Sequence, residues 1–72
     1  MVENVVIRGE MIRLGQLLKL AGVVGGGGEA KALLAEARVR VNGEPEARRG
    51  RQLHPGDAVE IDGHRLQVTT GP

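Results

Sequence analysis

The side chains with most chemistry to offer in this 72-residue chain are its arginines. Arg48, Arg49 and Arg51 crowd around Gly50, and Arg38 and Arg40 precede them, alternating with Val39 and Val41. A guanidinium group is a rigid fork of N–H donors that grips phosphate or carboxylate at two points and stays charged near neutrality. Residues 38–54 set five arginines against Glu44 and Glu46, a local charge of +3. Residues 55–72 set Arg65 against Asp57, Glu60 and Asp62, a local charge of −2. The net charge of +1 conceals this segregation. Charge summed over the chain would not suggest a polyanionic partner, but the local field does.

Other chemistry is thin. No cysteine is present, which removes disulfides, thiolate zinc and thiol catalysis together. His54 and His64 lie in or beside turn sequences with no carboxylate constellation around them, and read as solvated side chains. The carboxylates are scattered, as solvation and local ion pairs would leave them. A chain this short does not easily enclose a substrate pocket. The expectation is a protein that is not an enzyme, with no cofactor, no metal and no small-molecule substrate. Residues 25–28 are four glycines before a helical pattern, where exposed amides could attract phosphate. No Gly-Lys-Ser/Thr follows, and no βαβ unit frames the run. It reads as a flexible connector whose last glycine caps the next helix. Nothing reads as a signal peptide, and no apolar run approaches the ~20 residues of a membrane span. A cytoplasmic location without a membrane partner is expected.

The elements that must position the arginines follow from periodicity. Ala30, Leu33, Leu34 and Ala37 fall at offsets of three, four and seven, one apolar stripe along a helix. The pattern then alternates, so Val39 and Val41 share one face of a strand while Arg38 and Arg40 share the other. Asn42-Gly43 follows, a strong two-residue hairpin signal. Upstream, Val5, Val6 and Ile7 form a short strand, and Leu14, Leu17, Leu18 and Ala21 stripe a first helix that Gly22 terminates. Downstream, Glu44, Pro45, Glu46 and Ala47 form a short return strand, and residues 48–51 an exposed basic loop. Pro55-Gly56-Asp57 is a turn, Val59 and Ile61 alternate on a strand, Asp62-Gly63 is a second hairpin, and Leu66 and Val68 lie on a final strand. Residues 69–72 are expected to fray. The whole reads as one domain of class α+β, two short helices packed on a small, mostly antiparallel twisted sheet.

Arg13, Lys19 and Lys31 fall off the apolar stripes and face outward, adding to Arg38, Arg40, Arg48, Arg49 and Arg51. Any one of these charges could serve solubility alone. Their clustering, with no acidic residue immediately beside most of them, favours a phosphate backbone as partner. The chain has no Phe, Tyr or Trp on which to stack unpaired bases. Phosphate charge and shape are left as the means of recognition, which points to structured RNA or a duplex.

From about residue 13 to residue 61 the chain resembles the RNA-binding domain named after ribosomal protein S-four, the alpha-L motif. The resemblance rests on Arg13-Leu14 with Leu17-Leu18, Ala30 with Leu33-Leu34, Val39-x-Val41-Asn42-Gly43 and Pro55-Gly56-Asp57. The run from Gly15 to Gly22, Gly27-Gly28-x-Ala30-Lys31 and Arg48-Arg49-Gly50-Arg51 are most similar to the small stand-alone bacterial members. The resemblance implies RNA, ribosomal RNA above all, lying across the helix pair and the basic loop. It implies roles for Arg13, Lys19, Lys31, Arg48, Arg49 and Arg51, while Arg38 and Arg40 come from alternation alone. Two positions depart from the family pattern. Ala37 stands where glycine is common, and Gly28-Glu29 stands where many members carry Ser-Arg, which implies one phosphate contact fewer.

Two other readings compete. A basic-faced protein-docking module would meet an acidic partner. A sulfur-carrier-like β-grasp protein shares the Val-Asn-Gly-Glu turn and the Pro-Gly-Asp-x-Val-Glu-Ile run, but needs a terminal Gly-Gly where this chain has Gly71-Pro72.

Overall fold

The structure, a computed structural model, describes residues 2–71. Its elements run β1 (Val2–Ile7), β2 (Ile12–Arg13), α1 (Leu14–Leu20), α2 (Gly27–Ala35), β3 (Val39–Val41), β4 (Glu44–Pro45), β5 (Gln52–Leu53), β6 (Ala58–Ile61) and β7 (His64–Thr70). Five strands form one sheet in the order β1-β7-β6-β3-β4, and β2 with β5 forms a separate antiparallel ladder. The class is α+β, as expected, with two helices and a mostly antiparallel sheet. The exception is β1, which pairs parallel to β7 and sets Val5 beside Val68. None of the described helices is long and apolar enough to cross a membrane.

Both hairpin turns take the backbone their sequences call for. Asn42 and Gly43 have φ of 51° and 86°, and Asp62 and Gly63 have 47° and 84°, the paired left-handed conformation of a two-residue hairpin. Period-two alternation then sends Val39, Val41, Val59, Ile61, Leu66 and Val68 to one face, where they are buried with Val5 and Ile7. Leu14, Leu17 and Leu18 of α1 and Ala30, Leu33 and Leu34 of α2 close over that face in a single core. Each fully buried Leu or Val contributes about 1.5–3 kcal/mol relative to exposure. The opposite face carries Arg40, Glu60 and Arg65, aligned across three strands.

The ends of α1 follow its sequence. Gly22 has φ of 76°, its N–H donates to the Lys19 carbonyl at 3.1 Å, and the Val23 N–H donates to Leu18 at 3.0 Å. This crossed pair satisfies carbonyls that a helix C-terminus leaves open. The end of α2 differs from expectation. The helix stops at Ala35, and Ala37 does not extend the apolar stripe but turns left-handed at φ 57°, its N–H donating to Leu34 at 3.1 Å. Ala37 thus takes the conformation that glycine normally supplies at this place.

Three further expectations are corrected. Gly26, not the last glycine of the run, is the N-cap of α2, and Gly27 and Gly28 lie inside the helix. The connector is anchored, because Val24 is buried and the Gly25 N–H donates to the Glu29 carboxylate at 3.1 Å. Thr69 and Thr70, expected to fray, belong to β7 and pair with Val6 and Ile7, since the parallel neighbour supplies their ladder partners. Pro72 lies outside the described residues.

Candidate functional site

A helix begins with backbone N–H groups that have no partner inside it. In α1 two of them are satisfied by the basic loop. The Leu14 N–H donates to the Arg51 carbonyl at 2.8 Å and the Gly15 N–H to the Arg49 carbonyl at 3.0 Å. The β2–β5 ladder holds the two segments together, pairing Arg13 with Gln52. The Arg13 guanidinium donates to the Gly50 carbonyl at 3.4 Å, and its backbone N–H donates to Gln16 Oε1 at 3.2 Å. The result is an open groove of about 410 Å³ where α1, α2 and the loop meet. Arg13 at the N-cap of α1 and Gln16 and Lys19 within it line the groove at steps of three residues, Gly26 and Ala30 from the α2 side, and Arg49 and Gly50 from the loop. Among the described residues, no acidic side chain lines it.

Behind the groove the loop folds around Glu46, whose side chain is only 9% exposed. Its Oε2 accepts the N–H groups of Ala47 at 3.1 Å and Arg48 at 3.3 Å, and the Arg48 Nε at 3.1 Å. Its Oε1 accepts Arg48 Nη2 at 3.0 Å and Arg51 Nη1 at 2.9 Å. The side-chain bonds from Arg48 and then Arg51 outweigh desolvation and hold the Glu46 carboxyl down to about 2. The same bond raises the Arg48 guanidinium above its ordinary value.

The structure divides the sequence-derived cations into four groups. Arg13, Lys19 and Arg49 line the groove together. Lys31 is exposed on α2 beside Ala30, outside the lining, while Arg48 and Arg51 are tied to Glu46. Arg38 and Arg40 stand apart. Arg38 forms a two-point ion pair with Asp62 in the β6–β7 turn, its Nε lying 3.0 Å from Oδ1, and a second contact with Glu36 at 3.1 Å. Arg40 projects from the sheet face away from the helices, opposite Glu60, and donates to the Gly43 carbonyl at 3.2 Å. The alternation argument sets both side chains off the buried face of β3, but that surface is not the groove's.

Glu46, Gln16 and Gly26 escaped the sequence reading. Gln16 was legible, because it lies midway between Arg13 and Lys19 at helical spacing. Glu46 gave no comparable signal, since a carboxylate two residues from an arginine is ordinary. At α2, the Glu29 carboxylate accepts the Gly25 N–H, at the place where the departure from Ser-Arg implied one phosphate contact fewer.

Two helices closed over one face of a mostly antiparallel sheet are the architecture of a recognised class. The family model described as the S4 domain matches residues 5–69, and the chain belongs to the S4 domain family. It is 56% identical over 63 residues to the "Probable ribosome maturation protein RlbA" of Bacillus subtilis (strain 168), an alignment covering 88% of this chain and 89% of that one. It is 39% identical over 57 residues to the "Putative RNA-binding protein YbcJ" of Escherichia coli (strain K12), covering 79% and 81%.

Proposed function

We propose that the chain binds structured RNA, ribosomal RNA in particular, as a non-enzymatic, ribosome-associated protein of the bacterial cytoplasm, with the S4 domain as its RNA-binding unit. The observation that carries this reading is the convergence of Arg13, Lys19 and Arg49 on one groove that, among the described residues, no carboxylate lines. Such a surface suits a phosphate backbone, and the names of both relatives agree with it. Without aromatic side chains the protein reads charge and shape, with Lys31, Arg48 and Arg51 extending the positive field around the groove. Arg38, paired with Asp62 and Glu36, and Arg40, on the far sheet face, lie outside the groove and take no part in this reading.

The test is titration against a ribosomal RNA fragment and a DNA duplex of similar length, at low and near-physiological salt. RNA preference that survives salt is expected. Arg49→Gln and Lys19→Gln should each lower the log-log salt slope by roughly 0.7 to 0.9, whereas Arg40→Gln should leave it alone. Equal, salt-erased binding to both probes would overturn the reading in favour of a docking module with a basic face.

A further inference from the structure

We propose that Glu46 is a specificity-determining residue, which withdraws Arg48 and Arg51 from the pool of free cations so that Arg49 is the loop arginine presented to the groove. The inference rests on the RNA-binding reading and goes beyond it by assigning a discriminating role to a carboxylate.

Three observations support it. Glu46 is nearly buried and accepts three guanidinium donors and two backbone N–H groups, a satisfied set on a single carboxylate. Arg49, between the two paired arginines, has no carboxylate partner among the described residues, and its backbone is fixed by the bond from Gly15. Arg48 turns one edge of its fork, Nε and Nη2, onto Glu46 although its side chain is 74% exposed. A phosphate seeking those donors must displace the carboxylate and leave its nearly buried charge with only the Ala47 and Arg48 backbone N–H groups, which is costly. Three unpaired arginines would bind any polyanion. With Glu46 among them, the loop offers a smaller charge in a fixed place, and a ligand must match where that charge lies. Charge placed this way contributes to specificity more than to raw affinity.

The experiment compares the wild type, Glu46→Gln and the triple variant Glu46→Gln/Arg48→Gln/Arg51→Gln on a DNA duplex and on a ribosomal RNA fragment. Glu46→Gln keeps the side-chain shape and frees both arginines. Its salt slope on DNA should steepen by about 1 to 2, at ~0.9 per added phosphate contact, and its preference for RNA over DNA should narrow. The triple variant should return the DNA slope to the wild-type value. An unchanged slope and preference in Glu46→Gln would overturn the proposal. So would a triple variant whose slope falls below wild type by about two phosphate contacts, because Arg48 and Arg51 would then reach phosphate in the native loop. If Glu46→Gln fails to fold by circular dichroism, the triple variant, which leaves no buried charge unpaired, decides alone. The DNA slope requires no specific RNA site, so it judges Glu46 even where the wild type shows no RNA preference, an outcome that would remove the functional reading instead.

Discussion

The backbone carbonyl of Arg49 accepts the N–H of Gly15 at 3.0 Å, and the Arg49 Cβ lies 3.6 Å from where a Gly15 side chain would begin. That distance is ordinary van der Waals contact, so the site has room for a methyl group but little more. Gly15→Ala should stabilise the protein by about 0.5–1 kcal/mol through the lower backbone entropy of alanine in a helix. Thermal unfolding should register a rise of about 2–8 °C for a domain of this size. A larger side chain, as in Gly15→Val, should push the loop off α1 and lower both the melting temperature and RNA affinity.

Ala37→Gly should also stabilise. The left-handed φ of 57° sets the alanine Cβ against its own backbone, a strain of about 1–2 kcal/mol that glycine lacks, partly offset by glycine's greater freedom in the unfolded chain. A net gain of about 1 kcal/mol is expected, read as a rise in melting temperature of about 4–8 °C. No rise would mean that the turn relaxes at little cost.

Acid should weaken the fold through its held-down carboxylates. Glu46 sits at about 2 against an ordinary value of 4.5. In Asp57, desolvation pushes the carboxyl up but is outweighed by bonds from the His54 N–H and the Asn42 amide, and in Asp62 the Arg38 bond lowers it. Groups lowered in the folded state contribute stability above their unfolded values and lose it as pH falls through the folded ones. Urea midpoints should therefore be level above about pH 5 and decline towards about pH 2. Glu46→Gln should be less stable near neutrality and show a shallower decline.

Asn42 joins the β3–β4 turn to β6. Its Nδ2 donates to Asp57 Oδ1 at 3.1 Å and its Oδ1 accepts the Ala58 N–H at 2.9 Å, while its own φ is 51°. Asn42→Ala should cost about 1–3 kcal/mol from two lost hydrogen bonds and a less tolerant left-handed residue. Asn42→Asp keeps the acceptor and the turn preference but faces the Asp57 carboxylate. Its deficit should shrink as the pH is lowered to about 4, which Asn42→Ala should not show.

What the sequence disclosed depended on range. Both hairpins, the buried valines of β3 and the stripe of α1 are local patterns, carried by neighbours within four residues. The β1–β7 pairing joins Val5 to Val68, and alternation reports which face a strand buries without naming its neighbour. The β2–β5 ladder has two residues in each strand, too few to show a period. In the site, Arg13, Lys19 and Arg49 were legible as outward charges on recognisable elements. The separation of Arg38 was not, because Asp62 lies 24 positions away and meets it only once β3 and β6 are paired. Glu46 stood two residues from Arg48, yet its burial depends on how the loop closes against α1.

The parallel pairing of β1 with β7 also bears on when this molecule can exist during its own synthesis. A ribosome releases β1 first and β7 last, with both helices and the arginine loop between them. Val5 and Ile7 have no strand beside them until His64–Thr70 emerge, and helices of seven and nine residues are too short to persist in water unaided. The nascent chain therefore assembles in one late step. It cannot offer the finished fold to any partner before His64–Thr70 have emerged.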